Sequence, residues 1–174
     1  ARKGQLDLQE ITRQTPRLHE LPFDSRRKRM STVHQLTVGG QQSDIPYPQS
    51  LASELRQIVY VKGAPKEVLS LCTHLRLHGQ TCALDDKQRA RVITANDNYA
   101  RAGLRVLAIA QRVLSDTPQT WTPETVEREL TFLGLIAMLD PPRAEVAEAV
   151  DKCHRAGIRI IMITGDYGLT AESI

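Results

Sequence analysis

The sequence has few cysteines, little net charge and no long apolar run, and each of these absences argues against certain classes of protein. Three cysteines in 174 residues are too few for a disulfide framework, which favours a reducing compartment and the cytoplasmic side. The 23 basic and 20 acidic side chains leave a net charge of +3, so composition indicates no nucleic-acid partner. No apolar run approaches the roughly 18 residues of a membrane span, and no signal-peptide core is present, so we expect a soluble polypeptide.

Apolar residues make up 41% of the chain, enough for the core of a domain of this length, and their spacing predicts both strands and helices. Alternation of apolar and polar residues predicts three strands, over 30–38, 55–62 and 104–110. Helical spacing predicts three helices, over 5–14, 65–75 and 85–103. In the second of these helices the predicted buried stripe is Val68, Leu71, Cys72 and Leu75.

The last third of the chain has the pattern of a parallel α/β unit. An apolar strand at 132–139 runs into a Pro-Pro corner, a helix follows, and a second apolar strand begins at Ile160. Parallel strands joined by a crossover helix place polar groups at their carboxyl ends, where such sheets bind ligands. Because the sheet needs more strands than this sequence supplies, we expect the chain to be a fragment of a larger protein.

Five short motifs follow one another along the chain. They are Pro22-Phe23-Asp24-Ser25-Arg26-Arg27-Lys28-Arg29-Met30-Ser31, Lys62-Gly63-Ala64-Pro65, Leu104-Arg105-Val106-Leu107-Ala108, Asp140-Pro141-Pro142-Arg143 and Thr164-Gly165-Asp166. The ordered set resembles the cytoplasmic region of P-type cation-transporting ATPases, most closely the calcium-pump-like subclass and its bacterial relatives. The resemblance runs from about Leu21 to the end. It implies part of an ATP-driven cation translocase at the cytoplasmic face of a membrane, with the phosphorylation, actuator and transmembrane domains as partners.

The resemblance also implies an ATP site assembled from separate elements. Its residues would be Phe23 stacked on the adenine, Lys28 and Lys62 along the pocket, Gly63 where the backbone approaches, Arg105 at the phosphates and Leu107 against the base. The chemistry agrees, because an aromatic ring stacked on a base contributes about 1 to 3 kcal/mol and side-chain cations bind phosphate. The chain has no Walker-type glycine loop, so phosphate cannot be held in that way.

Each motif also has an ordinary structural interpretation. A single phenylalanine at a strand is usually a core residue, and the basic run 26–29 is typical of a solvated surface. The segment 62–65 is compatible with a simple tight turn, and Arg105 with a surface side chain packed along its stem. We interpret Asp140, Pro141, Pro142 and Arg143 as a hinge, because two prolines fix φ and confine bending to a few bonds.

The corner Thr164-Gly165-Asp166 resembles the second motif of haloacid-dehalogenase-like phosphotransferases. There the threonine hydroxyl and the glycine amide contact the transferring phosphoryl group. The phosphorylated aspartate of the P-type family lies in an Asp-Lys-Thr-Gly motif, and a later Gly-Asp-Gly motif helps to hold Mg²⁺ in the full-length enzyme. Neither motif occurs in this sequence. Without a nucleophile for the γ-phosphate, we expect the fragment to bind ATP without turning it over.

These observations predict an α/β protein in three parts. Residues 1–139 form an antiparallel sheet flanked by helices, an N-terminally truncated nucleotide-binding domain; 140–143 are the hinge; 144–174 are a partial Rossmann-like, haloacid-dehalogenase-type strand-helix-strand. The predicted function is to present the γ-phosphate of ATP to an aspartate outside this chain. The alternative is a regulatory interaction module of the same fold without nucleotide binding. We expect no metal site, since Cys72, His74, His78 and Cys82 match no usual zinc spacing.

Overall fold

Seven strands form a single sheet with helices packed against it. The computed structural model describes residues 7–36, 56–114, 120–139, 143, 145–165 and 167–172, without the side chains of Leu8 and Arg56. The strands are β1 (Arg17–Asp24), β2 (Arg29–Leu36), β3 (Arg56–Gly63), β4 (Cys72–Leu77), β5 (Gln80–Ala83), β6 (Arg105–Leu114) and β7 (Leu130–Met138). The helices are α1 (Leu8–Gln14), α2 (Pro65–Ser70), α3 (Asp86–Arg101), α4 (Pro123–Val126), α5 (Glu145–Arg155) and α6 (Gly168–Glu172).

The sheet is mixed, with the strand order β1-β2-β3-β6-β7-β4-β5. The predicted α/β class is confirmed, but the sheet is not wholly antiparallel, since β4 runs parallel to β7 while the other neighbouring pairs are antiparallel. A parallel pair requires a long crossover. Here the chain between β4 and β7 passes through β5, α3, β6 and α4, which supplies it.

The main hydrophobic cluster lies on one face of the sheet. Side chains alternate across a strand, so Val59 and Val61 of β3 share this face with Ala108 and Ala110 of β6, and all four are buried. Val68 and Leu69 of α2 pack against them, joined by Val92 and Ile93 of α3. The residues between them on the strands, which include Lys62, Leu107 and Ile109, therefore point to the opposite face.

Helix α3 begins and ends as its sequence predicts. Asp85 is the N-cap, its carboxylate accepts from the amide of Gln88 at 2.7 Å, and the Gln88 side chain accepts from the Asp85 amide at 2.9 Å, which completes a capping box. Gly103 follows the helix with a φ of +75°, a conformation that costs glycine little.

The prediction of one helix from Pro65 to Leu75 is wrong. Helix α2 ends at Ser70, and Cys72 begins β4. The spacing of Val68, Leu71, Cys72 and Leu75 suits a helix, but a short apolar run has no period of its own that separates helix from strand. Pairing with β7 makes this segment a strand, because Cys72 pairs with Leu130 and Leu75 with Phe132. These segments are nearly sixty residues apart, so local spacing cannot reveal the contact.

Burial makes the Cys72 thiol unreactive. Its side chain lies in the core, its Sγ contacts the Val68 carbonyl oxygen at 3.2 Å, and desolvation raises its pKa to about 12. Since only the thiolate attacks disulfide reagents, we expect two of the three cysteines, the half-buried Cys82 and Cys153, to react with a disulfide reagent at pH 8, while Cys72 reacts only in denaturant. Equal reactivity of Cys72 and Cys82 in the folded chain would contradict this burial.

The predicted second strand of the carboxyl-terminal unit is not formed. Residues 158–164 pair with no strand of the sheet, and Ile163 is 94% exposed. The reason lies in the sheet: β7, the first strand of the predicted unit, is hydrogen-bonded to β6 on one side and to β4 on the other. Neither edge of β7 is available to a second parallel strand. Helix α5 is present as predicted, but none of its residues is buried within the described part of the chain.

The predicted hinge falls largely outside the described residues. Asp140, Pro141 and Pro142 are outside the described residues, whereas Arg143 is described and exposed. The hinge therefore stays a prediction. In the described part of the chain no helix combines the length and the apolar character that crossing a membrane requires.

Candidate nucleotide-binding site

The face of the sheet opposite the core is open near the junction of β2, β3 and β6. Met30, Lys62 and Ile109 are register partners across these three strands. Lys62 is exposed, whereas Met30 and Ile109 are half-buried. Lys62 forms no ion pair with any residue in the described part of the chain. A cationic side chain thus stands between two apolar ones on a face accessible from solvent.

Leu107 and Arg105 continue this open face along β6. They lie two and four residues before Ile109, which corresponds to roughly 7 and 14 Å along a strand, and they share its face. Leu107 pairs with Ile136 and Arg105 with Met138 of β7. Because Met138 is the last residue of β7, Arg105 lies at the side of the sheet where the chain leaves toward residue 140.

Phe23 lies on the neighbouring edge strand and is mostly exposed. A register shift between Leu21 and Asp24 of β1 sets two residues, Pro22 and Phe23, against Met30 of β2, the arrangement of a β-bulge that redirects a side chain. A phenylalanine on a strand is usually a core residue. Phe23 is not, because it is 64% exposed.

Lys28 is presented by the turn that joins β1 to β2. The Asp24 carboxylate accepts hydrogen bonds from the amides of Arg26 and Arg27 at 3.0 and 2.8 Å, and the Asp24 carbonyl accepts from the Lys28 amide at 2.7 Å. Lys28 itself has a φ of +51°, a backbone conformation that residues other than glycine seldom adopt. Its carbonyl accepts from the Ala64 amide at 2.9 Å. These bonds hold Lys28 beside the end of β3.

The Lys28 ammonium is paired with Glu67, a residue that sequence reasoning missed. Its Nζ lies 3.3 Å from the Glu67 carboxylate, and both side chains are partly exposed. An ion pair of this kind contributes at most about 1 kcal/mol, so an anionic ligand can compete for Lys28. The one sequence signal for the pair is that Glu67 follows Pro65 in the first turn of α2.

Gly63 brings β3 into close contact with the Lys28 turn. A Cβ at this position would lie 2.5 Å from the Cβ of Arg29 and 2.5 Å from the carbonyl oxygen of Lys28. Arg29 is also the register partner of Gly63. The absence of a side chain here therefore allows the turn and the strand to approach each other.

A second missed residue, Glu127, lies beneath the same turn. Its carboxylate, with no exposed surface, accepts from Arg27 at 2.5 Å, from Arg29 at 2.7 Å and from Ser31 at 2.5 Å. Nothing in the surrounding sequence marks Glu127 as buried, because Arg128 and Glu129 beside it are charged and exposed. Only the pairing of segments about a hundred residues apart reveals it.

The other predicted phosphoryl-contacting residues that the structure describes, Thr164 and Gly165, are not part of this face. Thr164 and Gly165 lie in the exposed segment after α5, outside the sheet, and Asp166 lies outside the described residues. Their predicted contact with a phosphoryl group stays a prediction.

Metal ligands do not converge in the described ranges. There, no three side chains of His, Cys, Asp or Glu come together in a way that could hold a metal ion.

Comparison with known proteins connects this geometry to one family. The family model of the P-type ATPase cytoplasmic domain N matches residues 1–145. The chain is 35% identical over 172 residues to the sodium/potassium-transporting ATPase subunit alpha-1 of Oreochromis mossambicus, with 95% of the chain and 16% of that protein covered. It is 34% identical over 166 residues to calcium-transporting ATPase 1 of Lactococcus lactis (95% and 17%) and 37% over 158 residues to that of Bacillus cereus (91% and 16%). The chain thus spans about a sixth of these relatives.

Proposed function

This chain belongs to the P-type ATPases, and we propose that its cytoplasmic domain N binds ATP on the open face of the sheet. The observation that carries the proposal is the placement of Phe23, Lys62 and Leu107. An exposed aromatic ring lies beside a face on which a cation and a half-buried leucine are neighbours. A purine has a flat π-face for the ring and the leucine, and its phosphates are anions for the cations.

The cations are arranged along the face rather than gathered in one cluster. Lys62 and Lys28 are near the end of β3, whereas Arg105 is roughly 14 Å further along β6 at the Met138 side. We place the adenine between Phe23 and Leu107 and the phosphates toward Arg105. In this pose the γ-phosphate points to the side from which the chain continues to residue 140.

In the whole pump this domain would present the γ-phosphate to an aspartate of another segment. The Asp-Lys-Thr-Gly motif does not occur in the sequence, so the 174 residues supply no nucleophile for phosphoryl transfer. The partners we propose are therefore ATP and the rest of a cation pump. Since the relatives' names specify both sodium/potassium and calcium, the transported species that we propose is a cation in general.

Substitution of the site residues tests the proposal. We expect Phe23→Ala and Lys62→Ala each to weaken ATP binding at least about fivefold, because each removes an interaction of about 1 kcal/mol or more with base or phosphate. Titration calorimetry of the 174-residue chain measures the affinity. With one domain contacting the ligand, we expect a dissociation constant closer to millimolar than to nanomolar.

Two substitutions on the helical side of the sheet are matched controls. Tyr99→Ala removes a partly exposed aromatic ring and Lys87→Ala an exposed cation, both on α3, and neither should change ATP affinity. Unchanged affinity in both Phe23→Ala and Lys62→Ala would refute the site. The alternative, a regulatory interaction module that does not bind nucleotide, predicts that adding ATP causes no NMR shift changes around Phe23 and Lys62.

A further inference from the structure

We propose that Glu127 is a positioning residue of the nucleotide site, acting through the turn that carries Lys28 and follows Phe23. This inference rests on the proposed function, because it concerns the same site. Glu127 is on the core side of the sheet and cannot reach a ligand on the open face. Its effect on binding must pass through the residues that it holds.

The Glu127 carboxylate is bonded to the turn on both sides of Lys28. Arg27 precedes Lys28 and donates from Nη1 to Glu127 Oε1, while Arg29 follows Lys28 and donates from Nε to Oε2. Ser31 donates to Oε1 as well. Hydrogen bonds between ionised groups are about twice as strong as neutral ones. Lys28, between Arg27 and Arg29, is paired instead with Glu67 of α2.

Arg27 also bonds to the backbone of the residue before Phe23. Its Nη2 donates to the carbonyl oxygen of Pro22 at 2.9 Å, and Pro22 is one of the two bulge residues opposite Met30. One guanidinium therefore connects the buried carboxylate to the backbone immediately before Phe23. Through Arg27 and Arg29, Glu127 is connected to the residues beside Lys28 and, by way of Pro22, to the residue before Phe23.

Glu127 is itself fixed by the segment around it. It follows α4 as the C-cap, and its amide donates to the Pro123 carbonyl at 2.8 Å. Val126 before it and Leu130 after it are fully buried, and Arg112 of β6 donates to the Thr125 carbonyl at 3.2 Å. A residue anchored in this way can transmit its position to the turn, whereas a side chain on a loose loop could not.

The test separates positioning from stability by measuring ATP affinity and unfolding in the same variants. Glu127→Gln keeps the shape of the side chain but loses the charge and one acceptor. We expect it to weaken ATP binding at least threefold in chains that remain folded. Glu129→Gln is the matched control: it lies two residues away, pairs with Arg112 and is largely exposed, and it should leave ATP affinity unchanged.

A double-mutant cycle shows whether Glu127 acts through Lys28 and Phe23. In the Phe23→Ala/Lys28→Ala background, adding Glu127→Gln should change affinity by less than about 1.5-fold, since additivity fails for coupled residues. NMR shifts of Lys28 in free Glu127→Gln should also move away from those of the positive-φ conformation. A full threefold loss in that background, or unchanged Lys28 shifts, would show that the carboxylate acts elsewhere and would refute the inference.

Two further outcomes distinguish this inference from the proposed function. If Glu127→Gln binds ATP like the unaltered chain while Phe23→Ala and Lys62→Ala do not, the inference is wrong and the ATP site stands. If the unaltered chain binds no ATP, both are wrong. Should Glu127→Gln fail to fold, Arg27→Gln removes one connection while Arg29 and Ser31 still satisfy the carboxylate, and an unchanged affinity in that variant would likewise refute the inference.

Discussion

Replacing Glu127 by leucine should lower the free energy of unfolding by about 3 kcal/mol. The carboxylate has no exposed surface and pairs with two guanidinium groups, those of Arg27 and Arg29, whose side chains are only 22% and 16% exposed. Removing one partner of a buried ion pair leaves the other without its counter-charge, and the loss measured for such changes is about 3 to 5 kcal/mol. We place the value at the lower end because both arginines retain some contact with water. Urea unfolding measures it.

The cost should come from the two unpaired cations rather than from lost packing. If so, the triple variant Arg27→Met/Arg29→Met/Glu127→Leu, which replaces the whole ionic cluster by apolar side chains, should recover most of the loss. Glu129→Gln should change stability by less than about 0.5 kcal/mol, because its pair with Arg112 is largely solvated. A triple variant no more stable than Glu127→Leu would indicate that shape, and not charge, is what the cluster contributes.

The sequence allowed the strands of the open face to be predicted, because their residues carry local patterns. Arg105, Leu107 and Ile109 alternate with buried residues in β6 as expected, and Lys62 lies at the exit of β3. Period-two patterns depend only on residues adjacent in the chain. The motif residues Lys62 and Leu107 could therefore be placed at strand positions before any contact between strands was known, whereas the strand that carries Phe23, β1, was not predicted.

What could not be predicted depends on contacts between distant segments. The parallel pairing of β4 with β7 turned the expected end of a helix into a strand, and the same pairing occupied the edge of β7 that the predicted carboxyl-terminal strand required. The burial of Glu127 depends on Arg27 and Arg29, about a hundred residues earlier. In both cases the sequence has the residues but not their partners, since tertiary context overrides local preference.

Replacing Gly63 by alanine should also destabilise the fold strongly, by about 3 kcal/mol. The added Cβ would lie 2.5 Å from the Lys28 carbonyl oxygen and 2.7 Å from the Arg29 Cα. These are backbone atoms, so the clash cannot be relieved by turning a side chain. The strands β2 and β3 would have to separate at their end, where the Ala64 amide donates to Lys28, and urea unfolding should register the loss.

Gly168→Ala provides the control, because a Cβ at Gly168 would meet no atom within 4 Å, and stability there should change by less than about 0.5 kcal/mol. The experiment also separates two roles of Gly63. If the glycine serves only to let its backbone approach the nucleotide, Gly63→Ala will lose ATP affinity and keep its stability. If it serves to seat the Lys28 turn, both will fall together, and the close contact with Lys28 and Arg29 leads us to expect the second result.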